Sequence, residues 1–429
     1  MSERTLRVGL LGCGNVGAAV VRLLDAHRDD IATRAGCRLE ITKVAVRDAS
    51  KRRDLPLDPG AFTSDPMKVV DDPDVDLVCE LIGGGEPAGS LILAAFERGK
   101  PVVTANKELL ATRGRELFDA SDARGVDLYF EAAVGGGIPL IRPLKESLTA
   151  ERLSRVLGIV NGTTNYILTK RSEEGRPFDD VLAEAQRLGY AEADPSADVD
   201  GHDAAAKLAI LASIAFNARV VSSDVYREGI RTVTTEDIEY AARLGYVVKL
   251  LAIAELDGER IAARVHPTMI PVDHPLASVR EAFNAVFVEG PHVGELMFYG
   301  RGAGGDPTAT AVVGDLVTVA RNLIAGARGV GCTCFHQRTI RPMAEHAGQY
   351  YILLRVEDRP GVLAEISSVF GRHLVSIKSV WQEGSGDAAQ LVFVTHRALE
   401  DAFQHAVGEL RELSAVVEVR SMLRVAGQE

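Results

Sequence analysis

The densest group of reactive side chains lies between residues 188 and 207. The loop from Leu188 to Asp203 carries five carboxylates, Glu192, Asp194, Asp198, Asp200 and Asp203, and runs into a helical segment holding Lys207. Asp203 and Lys207 are four residues apart, so they share one helix face. Ala204–Ala206 and Leu208–Ala212 surround Lys207 with apolar surface. A lysine partly buried in such a setting has a proton available for chemistry. Two plainer readings stand beside this one: a solvated acidic loop, and an ordinary i,i+4 surface pair. A calcium loop is disfavoured, because the spacing lacks the EF-hand pattern and its closing Glu.

A second candidate is the run Gly12-Cys13-Gly14-Asn15-Val16-Gly17. It has the spacing GxGxxG, and it follows an apolar strand and opens an apolar helix, the setting in which that spacing has meaning. Gly12 permits the tight turn, Gly14 leaves room for a pyrophosphate, and Gly17 allows helix and strand to approach. The first helical N–H groups then face an anion. NAD sites usually place an acid at the end of the second strand. Here Arg47 stands in that place, with Lys51, Arg52 and Arg53 after it. These cations suit a 2′-phosphate, so NADP(H) is preferred and NAD(H) remains possible.

Two further clusters follow strands. Asn106 and Lys107 come just after Val102–Thr104, at a carboxyl end where a doubly wound sheet binds ligands. Lys107 is therefore placed for cofactor or substrate, or is simply a helix-start lysine. Glu131 leads into Val134-Gly135-Gly136-Gly137-Ile138-Pro139, and a carboxylate beside exposed turn carbonyls can hold a hard cation through oxygen. Cys332 and Cys334 form the only close cysteine pair, and read as two incidental thiols.

The elements that must position these groups fall into three patterns. Strands are expected at Leu6–Leu11, Leu39–Val46, Asp76–Ile82, Pro101–Thr104 and Val126–Val134, alternating with helices at Ala18–Ala26, Pro87–Arg98 and Glu108–Arg124. That alternation predicts a Rossmann-type doubly wound parallel sheet in an NADP-binding domain over residues 1–138. Residues 139–325 read as a central α+β region rather than a second doubly wound unit, with a helix after the glycine-rich run Gly300–Gly305. Within it, Thr235–Leu251 is predicted as one helix. Residues 326–348 read as a linker. Residues 349–429 have the order βαββαβ of a ferredoxin-like unit.

The chain has 429 residues, 46% hydrophobic and 25% charged, with a formal net charge of −12. Such a balance fits an ordinary globular protein of about three domains. The acidity disfavours nucleic acid, which needs clustered cations. No membrane span is expected, and the N-terminus does not read as a signal peptide. Five cysteines without disulfide-framework spacing suit a reducing, cytoplasmic setting.

The order of motifs resembles the homoserine dehydrogenase family, in the form with a C-terminal ACT regulatory domain. The resemblance rests on the GxGxxG run, Thr104-Ala105-Asn106-Lys107, Glu131–Pro139, Gly158–Leu168 with its Asn161-Gly162-Thr163-Thr164-Asn165-Tyr166-Ile167-Leu168 core, and Gly189–Pro195 running on to Asp198, Asp203 and Lys207. Asp358-Arg359-Pro360-Gly361 and its flanks are similar to the ACT signature. The resemblance implies an α/β oxidoreductase of threonine, methionine and isoleucine biosynthesis that reduces L-aspartate 4-semialdehyde reversibly to L-homoserine. It implies Lys207 as the acid–base residue, with Lys107 between cofactor and substrate. It implies Glu192, Asp203 and Asp198 as substrate-binding. It further implies that residues 139–325 are the catalytic and dimerisation domain, with the 300–325 helix returning to the nucleotide domain. It also implies cofactor contacts at Thr104 and Gly302, a sodium site at Glu131, Val134, Gly136 and Ile138, L-threonine as effector, and a homodimer or homotetramer. His202 stands where the family commonly has an apolar residue, which is read as neutral variation. Aspartate-semialdehyde dehydrogenase is disfavoured because no cysteine has the setting of an activated nucleophile. A non-catalytic NADP and amino-acid sensor has no need of a proton donor such as Lys207.

Overall fold

The computed structural model describes residues 4–386 and 389–426. The chain divides into two compact units, Met1–Val156 with Ala206–Asp224 and Asn284–Arg338, and Leu157–Ala205 with Val225–Phe283 and Thr339–Glu429.

The first unit holds a six-stranded sheet of β1 (Thr5–Leu11), β2 (Arg38–Ala45), β3 (Phe62–Thr63), β4 (Leu77–Glu80), β5 (Val102–Thr104) and β6 (Leu128–Tyr129). Its order is β3-β2-β1-β4-β5-β6 and every pairing is parallel. The strands are Val-, Leu- and Ile-rich because both faces are covered. Val8, Leu10, Val20, Leu77, Val312 and Leu316 belong to one core that joins the sheet to the helices Asn15–Ala26 and Gly305–Ala325. Gly305–Ala325 is long and apolar enough by composition to cross a membrane. Its apolar side chains are instead part of this core. The chain order reverses between β1 and β4, which opens a crevice at their carboxyl ends.

The sequence predicts a strand over Val126–Val134, but only Leu128–Tyr129 pairs, and Glu131–Ala133 is a single 3-10 turn. The Glu131 N–H donates to the Asp315 carboxylate at 2.8 Å instead of to a neighbouring strand.

In the second unit, Tyr246–Asp257 and Arg260–Pro271 form a long antiparallel pair from Tyr246↔Pro271 to Arg260↔Asp257. The single helix predicted over Thr235–Leu251 is therefore two elements. The helix is Thr235–Arg243, started by a capping box between Thr234 and Asp237. Gly245, at φ +81°, turns the chain, and Tyr246-Val247-Val248 begins the strand. The apolar spacing on either side of that glycine is compatible with one helical period, and the β-branched pair after it decides for strand.

The C-terminal residues form Ala347–Val356, Val362–Arg372, Ile377–Glu383, Gln390–Thr395, Glu400–Glu412 and Val416–Val425, the predicted βαββαβ order. The sheet does not end there. Val416–Val425 also pairs in parallel with Arg260–Pro271, at Thr268↔Arg424 and Met269↔Val425. The α/β class, the parallel nucleotide sheet and the ferredoxin-like unit are all as the sequence predicts.

Candidate active site

The glycine-rich turn has the local shape its sequence requires. Gly12 is at φ +96°, and a Cβ there would lie 2.7 Å from the Leu81 carbonyl oxygen. A Cβ on Gly17 would come within 2.4 Å of the Gly12 carbonyl oxygen, whereas the space beside Gly14 is open. The helix Asn15–Ala26 starts on Gly14 without a side-chain cap or an acidic residue in its first turn. Its first N–H groups are thus available to an anion.

Beside this turn lies a cavity of about 520 Å³, lined by Gly12, Cys13, Gly14, Arg47 and Arg53 among others. Burial raises the Cys13 thiol pKa, so it lines the crevice as a neutral group. The Arg53 guanidinium sits 5.2 Å from the Phe62 ring centre and donates to the carbonyls of Asp48 and Lys51 at 3.1 and 2.9 Å. Arg53 is therefore held in place, while Arg47 is exposed at the rim. An open glycine cradle at a helix start, with two guanidiniums along the wall, fits a phosphorylated dinucleotide.

Thr104 turns inward. Its hydroxyl donates to Glu80 at 2.6 Å and accepts from the Asn106 N–H at 3.0 Å. Glu80 is fully buried and also accepts from the N–H groups of Ile82 and Gly83 at 2.7 and 2.9 Å. It shapes the 81–83 wall of the cavity. Sequence reasoning missed it, although a carboxylate inside the apolar run Leu77–Ile82 was a usable signal. Asn106 caps the helix Lys107–Arg124 through Leu109 N–H at 3.1 Å and donates to the Gly84 carbonyl at 2.7 Å. Lys107 is consequently the first residue of a well-anchored helix, half-buried at the end of β5.

The Glu131 carboxylate accepts three backbone N–H groups, from Leu140 at 2.5 Å, Ile141 at 2.7 Å and Arg142 at 2.9 Å. It is an anchor for the turn 134–139. In that turn Val134 and Gly136 are buried. No hydrogen bond among the described residues ends on their carbonyl oxygens. Buried carbonyls without a donor suit a hard cation. Gly302 lies against the same turn, since a Cβ on Gly136 would be 2.6 Å from the Gly302 carbonyl. Asp315 was not foreseen. It accepts from the Glu131 N–H and from Arg142 at 2.9 Å, and burial raises its pKa to about 7.

In the second unit, Asn161 organises the acidic loop. Its amide nitrogen donates to Asp198 at 2.6 Å and to Asp203 at 2.9 Å. Its amide oxygen caps the helix Gly162–Glu174 by accepting from Thr164 N–H at 2.9 Å. Thr163 donates to the Tyr190 carbonyl at 2.6 Å, and the rings of Tyr166 and Tyr190 lie 5.1 Å apart. The Asn161–Leu168 motif is thus the clamp for the 189–203 loop, a role its sequence did not reveal. Asp198 is half-buried on Ser196–Val199 and Asp203 is buried. Glu192 stands exposed, as does His202. Lys207 lies one turn after Asp203 on His202–Ala215, and only 8% of it is exposed. The plain surface-pair reading is excluded by that burial.

Comparison with known proteins decides the family. The sequence profile for homoserine dehydrogenase matches residues 139–317, and the profile for its NAD-binding domain matches residues 12–131. A homoserine dehydrogenase of Corynebacterium glutamicum is 49% identical, over 97% of this chain and 95% of that protein. The chain belongs to the homoserine dehydrogenase family. Residues 350–415 match the ACT domain. A crystal structure of a homoserine dehydrogenase from Thiobacillus denitrificans has a TM-score of 0.93 and 43% identity, covering 99% of each chain. A hyperthermophilic archaeal homoserine dehydrogenase in complex with NADPH has a TM-score of 0.63 and 27% identity, over 73% of this chain and 97% of that one. The chain is thus an oxidoreductase of amino-acid biosynthesis with a nicotinamide-binding domain.

Proposed function

We propose that this enzyme catalyses reversible hydride transfer between NADPH and L-aspartate 4-semialdehyde, giving L-homoserine. The observation that carries the reading is Lys207, buried on an apolar helix one turn after Asp203, which Asn161 ties to Asp198.

The nicotinamide, when bound, supplies or accepts the hydride. The Lys207 ammonium donates a proton to the oxygen at the aldehyde carbon as that carbon is reduced. In the homoserine direction Lys207 takes the proton back. Lys107 binds between cofactor and substrate and shares in the proton work. Asp203 and Glu192 hold the substrate's ammonium and hydroxyl groups, with Asp198 supporting them. Gly12–Gly17, Thr104 and Gly302 form the cofactor cradle. Arg47 and Arg53, on the wall of the cavity beside that cradle, would hold a 2′-phosphate, which favours NADP(H) over NAD(H). A sodium ion fits the carbonyls of Val134, Gly136 and Ile138, in the turn that Glu131 anchors.

The ACT unit takes L-threonine as a feedback effector. Its Asp358–Gly361 turn is built for a small ligand's approach, with Gly361 at φ +95° and Arg359 held by Glu357 and Glu365. The enzyme works in the cytoplasm as a homodimer or homotetramer, in threonine, methionine and isoleucine synthesis. Residues 1–138, 139–325 and 349–429 serve as nucleotide, catalytic and regulatory domains, with 326–348 as the linker.

The test is loss of NADPH absorbance on adding L-aspartate 4-semialdehyde, with and without L-threonine. Turnover suppressed by threonine supports both parts of the reading. Turnover untouched by threonine removes the effector assignment, and no turnover with NADPH bound removes the activity.

A further inference from the structure

Cys332 and Cys334, which the sequence offers as incidental thiols, are brought together in the first unit on the wall of a cavity of about 40 Å³. The Cys334 thiol donates to the Ser213 carbonyl at 3.9 Å. The Cys334 backbone N–H donates to the Cys332 sulfur at 3.4 Å, and so does the Arg219 guanidinium at 3.4 Å. Two N–H donors, one of them on a cation, therefore converge on the Cys332 sulfur. The Lys145 ammonium lines the same cavity and adds a second cation beside the pair. The remaining wall is apolar, with Phe118, Phe130 and Ile214. Both cysteines are half-exposed.

This setting stabilises a thiolate at Cys332. Its pKa is lowered, first by the Cys334 thiol and then, against the cost of burial, by the Cys334 N–H and Arg219. Cys334 is shifted the opposite way and stays protonated, raised by the neighbouring sulfur and by burial. A thiolate beside a neutral thiol is the arrangement of an attacking and a resolving cysteine. The three other cysteines differ. Cys37 and Cys79 are buried, and burial raises the pKa of Cys13, Cys37 and Cys79 alike.

We propose that Cys332 and Cys334 are a redox-active dithiol that reacts with small hydroperoxides and closes to an internal disulfide. The Cys332 thiolate attacks one peroxide oxygen, the O–O bond breaks, and hydroxide or alkoxide leaves. Sulfur is oxidised to a sulfenic acid as the peroxide is reduced. The Cys334 sulfur then attacks the Cys332 sulfur, its thiol proton leaves with the displaced hydroxide as water, and the S–S bond forms. The cavity has room for a molecule the size of hydrogen peroxide. A disulfide across a single residue closes a small ring, and such constrained bonds are readily reduced. The change is felt on the helix of Lys207, because the Cys334 sulfur lies 3.9 Å from the Ser213 carbonyl.

The full-length protein is treated with less than one equivalent of hydrogen peroxide, alkylated and cleaved with trypsin. Arg328 and Arg338 bracket both cysteines in one peptide. The expected result is that this peptide loses two hydrogens before any other cysteine peptide oxidises. Cys334→Ser is expected to leave a sulfenic acid on Cys332, trapped by dimedone. Alkylation of Cys332 at pH 7 is expected to run about tenfold faster in the folded chain than in urea. Oxidation first at Cys13, no internal disulfide, or equal alkylation rates folded and unfolded would each overturn the proposal.

Discussion

The Asn161 amide spans Asp198 and Asp203, and its other end caps the helix that clamps the same loop. One side chain therefore sets both the position of the carboxylates and the start of the helix beneath them. Asn161→Ala is expected to lower kcat/KM by about 100-fold, because carboxylates displaced by about 1 Å lose the productive substrate pose. The lost cap alone costs about 1 kcal/mol of stability. Steady-state kinetics beside a thermal melt separate the two effects. A kcat/KM within about threefold of wild type would show that Asn161 serves only the helix.

Lys207 has few ways to be replaced. Ala204–Ala206 and Leu208–Ala212 flank it, and Asp203, one turn before, is the nearest ionisable side chain on its helix. Lys207→Ala is expected to lower kcat by about 10²–10⁴-fold, the range for loss of a positioned acid–base group. NADPH affinity, measured by fluorescence titration, is expected to stay within about twofold. A large loss of NADPH affinity with modest loss of kcat would move Lys207 from proton transfer to cofactor binding.

Arg47 and Arg53 divide their work by exposure. Arg53 is held by two carbonyls and a ring, whereas Arg47 is exposed at the rim of the cavity. A charge-assisted bond to phosphate is worth about 1.5–3 kcal/mol, so Arg47→Glu is expected to raise the KM for NADPH by about 10-fold or more. The KM for NADH is expected to change far less. Equal changes for both cofactors would remove the 2′-phosphate from the account.

Local patterns in the sequence were enough for the parallel sheet, the glycine turn and the βαββαβ unit, because each is a short-range signal repeated along the chain. The glycine turn could be read as a cradle because its spacing and setting are contiguous. Lys207 stood out because a charge in an apolar helix breaks a local rule. Asp315 and Glu80 were not legible as site-shaping groups. Asp315 lies 184 residues from the Glu131 N–H it holds, and such a partner has no trace in local spacing. The strand at Tyr246 was hidden for another reason. Gly245 breaks the helix, but apolar residues on both sides keep a period that helix and strand can share.

Asp315 gives a pH signature to the turn over residues 134–139 that Glu131 anchors. Its folded pKa is raised to about 7, chiefly by burial, from an unfolded value near 3.9. Between those two values the folded state binds more protons than the unfolded state, so this group's contribution makes stability fall as pH rises. Below about pH 4 both states are protonated, and above about pH 7 both are ionised and the full cost is present. Asp315→Asn is expected to remove a decline on the order of 2–4 kcal/mol across that window. Urea unfolding at intervals from pH 4 to 7.5 would show it. Parallel stability curves for the two proteins would mean that Asp315 is ionised at its usual pKa.

Arg424 ties the ACT strand to the segment beside the acidic loop. It is buried on Val416–Val425 and bonds to Glu400 at 2.9 and 2.6 Å and to Glu228 at 2.9 and 3.0 Å. Glu228 is followed by Gly229, where a Cβ would lie 2.2 Å from the Val199 carbonyl oxygen, and by Ile230, whose N–H donates to that oxygen at 2.8 Å. The 228–230 segment is thus seated directly on Ser196–Val199, which carries Asp198. Arg424→Met leaves Glu400 buried and without its cation, a defect expected to cost about 3–5 kcal/mol. Adding Glu400→Gln removes the stranded charge and is expected to restore most of that stability. The double variant still lacks the Glu228 pair, so its KM for L-aspartate 4-semialdehyde is expected to stay raised, by about three- to tenfold. Denaturant unfolding and steady-state kinetics on both variants separate the two roles. If the double variant recovers stability and KM together, Arg424 acts only as a brace within the C-terminal unit, and the seating of Asp198 does not depend on it.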